Sequence, residues 1–189
     1  MKALNTRQIA LSGVLAAFSA VTQLVHLGYQ SPQWGMWIDV VAVSWFLAFF
    51  LMGFKPSLLV ALISGLVITL FSPDTWLGAV MKLLATSPLL ISLYLWTIIR
   101  KKNNNIYMNI TSLIFPLLAG LIIRSVIIIP VNYYFAIPIW TGMTSSQAIL
   151  AIPWYIIALF NTVQGILDIT LAWIMVFRFR LNKFSELET

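Results

Sequence analysis

The chain contains no cysteine, a single histidine and few charges: only 8% of its 189 residues are Asp, Glu, Lys or Arg. Without cysteine there is no thiolate nucleophile, no iron–sulfur cluster, no cysteine zinc site and no disulfide framework. The one histidine, His26, has no acidic partner nearby in sequence and reads as an interfacial residue rather than a metal ligand. There is no GxxxxGK[ST] phosphate loop with which the chain could hydrolyse nucleotide itself. No Ser–His–Asp arrangement is suggested by position, and no arginine ladder occurs. The chain reads as neither an enzyme nor a holder of metal or cofactor. The scarcity of charge excludes most, because a soluble domain is roughly 25% charged and about 45–50% apolar. Here 61% of residues are hydrophobic and mean hydropathy is +0.96, too few polar side chains to cover a water-soluble globule. The sequence is that of an all-α integral membrane protein.

A helix needs about 20 apolar residues to cross the hydrocarbon core. Apolar runs at 8–27, 37–54, 57–72, 77–99, 110–131 and 153–177 predict a single domain, residues 1–189, built from about six transmembrane helices. The net charge of +6 could point to nucleic acid, but the basic residues are scattered at membrane-flanking points. Nine of the eleven (Lys2, Arg7, Lys55, Arg100, Lys101, Lys102, Arg178, Arg180 and Lys183) fall on one side of the predicted spans. The opposite loops, 28–36, 73–76 and 132–152, have none. By the bias of Lys and Arg toward cytoplasmic loops, both termini are expected in the cytoplasm of a multi-pass cell-membrane protein, in contact with lipid but not with nucleic acid.

Charged residues inside spans are expensive and mark a site or an internal ion pair. Asp39, Lys82, Arg124 and Asp168 qualify. Counting ~1.5 Å per residue from the cytoplasmic ends puts Asp39, Lys82, Arg124, Asn161 and Gln164 at ~20–25 Å and Asp168 at ~14 Å. Five polar groups from four helices thus converge on one layer, either as a binding cavity or as helix–helix glue. Asn161, Gln164 and Asp168 share one helix face; Asp168 either joins that site or pairs with Arg124. Pro130 and Pro138 break the fifth helix and bring Asn132 and Tyr133 to the cavity rim. Trp34, Trp37, Tyr133, Tyr134, Phe135, Trp140 and Trp154 form either an interfacial belt or a lid of stacking rings. On the first helix, small residues at Ala10, Gly13, Ala17 and Ala20, with Ser12 and Ala16 on an overlapping stripe, suit close helix packing. That face serves the bundle itself or a partner membrane protein.

Four stretches together resemble the membrane-embedded substrate-binding (S) component of energy-coupling factor transporters, riboflavin-type. They are the small-residue first helix from Ala10 to Ala20, Met81-Lys-Leu-Leu-Ala-Thr-Ser-Pro88, Asn132-Tyr-Tyr-Phe-Ala-Ile-Pro138, and Ile152-Pro153-Trp154 leading into Phe160-Asn-Thr-Val-Gln-Gly165. The resemblance implies six helices with a vitamin site near the outer face, covered by the loop between the first two. It implies a partner complex of a transmembrane coupling (T) protein and two cytoplasmic ATPases, contacted through Gly13, Ala16, Ala17 and Ala20. Riboflavin or a similar vitamin would be the ligand, with Asn161, Gln164, Asn132 and Tyr133 as contacts and Trp34, Asp39, Lys82 and Arg124 completing the site. Gln164 stands where many riboflavin-type members resemble Phe-Asn-x-x-Lys-Gly, which leaves Lys82 as the cation. A structural subunit with no ligand is the other class of reading; a stand-alone carrier would show an inverted repeat, which is not visible.

Overall fold

A computed structural model describes residues 4–25, 27–71 and 75–184. Lys2, His26 and residues 73–74 of the expected 73–76 loop lie outside the described residues. The first helix, α1 (Thr6–Leu24), begins at a reciprocal cap in which the Asn5 side chain accepts from the Gln8 N–H at 2.7 Å and Gln8 Oε1 accepts from the Asn5 N–H at 3.2 Å. A short hairpin comes next, β1 (Gly28–Gln30) and β2 (Trp37–Asp39), antiparallel with Gly28 opposite Asp39. Then come α2 (Val43–Met52), α3 (Phe54–Phe71), α4 (Thr75–Ile99) and, after a 3₁₀ turn at Asn104–Met108, α5 (Thr111–Val131). A π-helical turn, Asn132–Ala136, joins α5 directly to α6 (Ile137–Thr141). The short α7 (Ser145–Ala151) leads to α8 (Trp154–Trp173), which also ends in a π-turn, Ile174–Arg178.

The expected helical membrane bundle is present, with four helices long and apolar enough to cross a bilayer: 54–71, 76–99, 111–141 and 154–178. Helices α1 and α2 complete the set of six. The second predicted span, 37–54, is corrected: its helix covers only Val43–Met52. Ten residues rise about 15 Å, half of an approximately 30 Å core. Residues 37–39 form a strand instead, and the Asp39 carboxylate accepts from the Val41 N–H at 2.9 Å, turning the chain before α2 starts. Almost every residue of α2 is buried, as expected of a helix that is apolar all round. It lies among α1, α3 and α8, while α4 packs on α3 and α5.

The fifth span is corrected in the other direction. Asn132 and Tyr133 do not begin a loop: the helix runs through Pro130 and on to Thr141. One extra residue in the π-turn lets the Ile137 N–H donate to the Asn132 carbonyl, just before Pro138 removes a donor. The small residues of α1 divide between a buried face and an outward one. Ala16 and Ala20 are buried at 0% and 3% exposure, with Ser12 and Ser19 beside them. Ser19 Oγ donates to the Val41 carbonyl at 2.9 Å and accepts from Trp45 Nε1 at 3.0 Å, binding α1 to the start of α2. Gly13 and Ala17 point outward, and no atom lies within 4 Å of where a Cβ on Gly13 would stand.

The turns carrying most of the basic residues gather at one end of the bundle, where the 3₁₀ turn and the last π-turn both touch α2. Asn104 Nδ2 donates to the Phe49 carbonyl, Tyr107 Oη to the Leu93 carbonyl at 2.5 Å, and Trp173 Nε1 to the Tyr107 carbonyl at 2.7 Å. The Phe50 ring meets Phe49, Tyr107 and Phe177 edge-on at 5.5, 5.6 and 5.5 Å. Burial there holds the Tyr107 hydroxyl well above its ordinary pKa.

Candidate functional site

At the opposite end lies a cavity of about 490 Å³, roofed by the hairpin and walled by α1, α4, the α5–α6 junction and α8. The hairpin is locally specified. Gly28 sits so close to β2 that a Cβ there would stand 2.2 Å from the Ile38 carbonyl oxygen, so only glycine permits this approach. The six-residue loop closes through the Ser31 N–H to the Met36 carbonyl and the Gly35 N–H to the Ser31 carbonyl, both at 2.9 Å, with Gly35 at φ +64°. This brings Gln30, Trp34, Met36 and Trp37 over the cavity.

The predicted polar layer forms the floor and wall. Asp39, Lys82, Arg124, Asn132, Asn161 and Gln164 all line the cavity. Asp39 arrives on a strand, not on a helix, so the layer is drawn from helices and hairpin together. Lys82 Nζ pairs with Asp39 Oδ1, the side chains being 15% and 12% exposed. Gln164 Oε1 accepts from the Asp39 N–H, while Nε2 donates to the Asp39 carbonyl and to Asp168 Oδ2, each at 2.8 Å. Arg124 Nε and Nη2 both donate to Asn161 Oδ1, at 3.2 and 3.0 Å, and Asn161 Nδ2 donates to the Ile157 carbonyl at 2.9 Å. Asn132 Nδ2 donates to the Ile128 carbonyl at 2.9 Å, leaving its oxygen free to accept.

Asp168 is fully buried behind this wall and does not line the cavity; its partner is Gln164, and no salt bridge joins it to Arg124. Arg124 Nη1 and Asp168 Oδ1 are buried without a hydrogen-bond partner. Tyr133 is a correction: it is outside the cavity lining, packs in a separate apolar cluster, and donates its hydroxyl to the Ile152 carbonyl at 2.6 Å. Tyr133 follows Asn132 by about 100° around the helix axis, so the two do not face the same way, and the π-turn returns the cavity side to Ile137, five residues after Asn132.

The two readings of the aromatic rings divide between residues. Trp34, Trp37 and Trp140 line the cavity, whereas Tyr134, Phe135 and Trp154 are 59%, 60% and 62% exposed on the outside. Gln23, Gln30, Met81 and Phe160 line the cavity too and are not among the expected contacts. Gln23 lies two turns beyond Ala16 on α1, and a polar residue at that helix end is the one signal for it in the sequence. Among the described residues no group of three His, Asp or Glu could hold a metal ion. The lining combines flat rings with hydrogen-bonding amides, Arg124 and the Lys82–Asp39 pair, a surface for a planar ligand with a polar edge.

No family model and no curated protein matches the chain. What fold and site define together is a helical membrane bundle with a cavity at one end. Its fold is similar to the solved structure of the S component of a bacterial ECF transporter, with a TM-score of 0.72 and 23% sequence identity over 94% of this chain and 96% of that one.

Proposed function

We propose that the chain is the substrate-capture subunit of an ATP-driven uptake transporter and takes a planar vitamin, riboflavin first. The observation that carries this reading is the cavity of about 490 Å³, lined by Trp34, Trp37 and Trp140 together with Asp39, Lys82, Arg124, Asn132 and Asn161. The likeness to an ECF transporter S component supports it, as does the lack of a phosphate loop, which leaves energy to come from partners. Those partners are a transmembrane coupling protein and two ATPases. With both termini in the cytoplasm of a prokaryotic cell membrane, the cavity opens outward, and Gly13 and Ala17 form the docking face. Asn161→Ala then weakens riboflavin binding by roughly 1–3 kcal/mol, because Arg124 loses its partner at the wall.

Native mass spectrometry and absorbance of detergent-purified protein test the ligand. Bound flavin, seen as a yellow preparation with a matching mass, supports the assignment. A colourless protein that ignores added riboflavin removes flavin from it, and other vitamins are screened next. A second reading, a structural subunit with no ligand, is favoured by the bonding of Lys82, Asn161 and Gln164 to groups within the chain. Unchanged vitamin uptake by an Arg124→Met, Asp168→Leu double variant would favour this second reading.

A further inference from the structure

The hairpin meets the bundle most directly at Asp39, and Gln164 grips both backbone polar groups of that residue. The amide accepts from the Asp39 N–H and donates to the Asp39 carbonyl, each at 2.8 Å. Residues of paired antiparallel strands exchange the same two bonds, so one side chain of α8 stands in for a neighbouring strand on the free edge of β2. The opposite edge of Asp39 faces Gly28.

The orientation of the amide is also determined. Gln164 has two N–H donors and one carbonyl oxygen. A backbone N–H can only donate and a backbone carbonyl can only accept, so the Gln164 oxygen must face the Asp39 N–H and its nitrogen the Asp39 carbonyl. The second N–H of that nitrogen then goes to Asp168 Oδ2 at 2.8 Å. Gln164 is 3% exposed and Asp168 0%, so water competes poorly for either. Both donors of Gln164 are committed within the protein, and neither is open to a cavity occupant.

We infer that Gln164 is a positioning residue that fastens the hairpin over the cavity, with Asp168 behind it holding the amide in register. The hairpin thereby becomes part of the cavity wall rather than a loose loop. This rests on the geometry alone and holds whatever the cavity takes.

The lack of native cysteine allows a direct test. Ser31 lies in the hairpin loop and is 5% exposed, so a Ser31→Cys thiol reacts with a water-soluble maleimide only when the hairpin lifts. Ala148→Cys, at a fully buried position on α7, is the control. Both are placed in the full chain in detergent, with Gln164 intact, Gln164→Leu or Gln164→Glu. Losing the two bonds to Asp39 corresponds to about five- to a hundredfold faster labelling of the Ser31→Cys thiol in Gln164→Leu, with the Ala148→Cys thiol unchanged. Gln164→Glu keeps an acceptor for the Asp39 N–H but sets a second carboxyl against the Asp39 carbonyl and Asp168, and it too labels faster than the parent. Equal Ser31→Cys rates across the three backgrounds overturn the inference. So does a parallel rise of both thiols, which reports general loosening. If Gln164→Leu does not fold, the Gln164→Glu comparison decides alone.

Discussion

At the basic end of the bundle, Asn104, Tyr107 and Trp173 each donate to a main-chain carbonyl and sit among edge-on aromatic rings. At the cavity end, Lys82 pairs with Asp39, Arg124 holds Asn161, and Gln164 grips the hairpin backbone around open space. The contrast separates two uses of buried polarity. Where polar side chains donate to main-chain carbonyls, the structure can be filled. Where they sit inside spans and organise one another, they keep a cavity's walls apart and leave some capacity facing inward. A buried polar residue therefore means little until its partner is known.

The largest effect that would sharpen this contrast is Phe50→Ala. Phe50 is 1% exposed, and its removal should cost about 3–5 kcal/mol, read as a lowered unfolding midpoint with hairpin protection unchanged below the transition. Next is Gly165→Ala on the cavity side. A Cβ there would stand 2.9 Å from Leu121 Cδ2 and Leu89 Cδ1 and 3.3 Å from Arg124 Nη1. The expected loss is about 2 kcal/mol, with a change in ligand binding that Phe50→Ala does not produce; equal binding in both variants would break the comparison.

Lys82→Met comes third. It leaves Asp39 without its cation in a setting between exposed and buried, at roughly 1–2 kcal/mol. Adding Asp39→Asn should recover stability, because the lone charge goes while an oxygen for the Val41 N–H remains; a thermal-shift series checks this. The smallest is Tyr107→Phe, about 1 kcal/mol for the bond to the Leu93 carbonyl. Since folding raises the Tyr107 pKa, its contribution is full below the unfolded value of ~10 and fades as pH rises from there toward the folded value. Alkaline denaturation should therefore start at higher pH in Tyr107→Phe than in the parent.

The apolar runs at 57–72, 77–99 and 153–177 locate their helices to within a few residues, because a membrane helix must be apolar over its whole length. The run at 37–54 misleads for the same reason. Trp37, Ile38, Val40, Val41 and Ala42 are as apolar as a span, yet a strand satisfies its backbone here through Gln164, 125 positions away, which no local pattern reveals. Depth counting brings Lys82, Arg124, Asn161 and Gln164 to one level, and they meet at the cavity, since axial rise survives boundary errors; Asp39 joins them from a strand, to which the helical count does not apply. Facing is the weaker inference: Tyr133 reads as a cavity residue beside Asn132 in sequence, yet one step of about 100° around the helix turns it into a separate apolar cluster. Ala16 and Ala20 group with Gly13 and Ala17 in sequence because small residues look alike until the neighbours of α1 are known.

Helix α2 stops about halfway across the bundle, and the other half of its path is taken up by the hairpin and the space beneath it. The cavity is thus made by an unfinished wall rather than by hollowing out a finished one. The five long helical columns can stay fixed in shape while the short thatch that completes the sixth is rewritten. A change in the cavity's lining would then fall first on the hairpin between the fixed Gly28 and Asp39, whose loop can vary without moving any span.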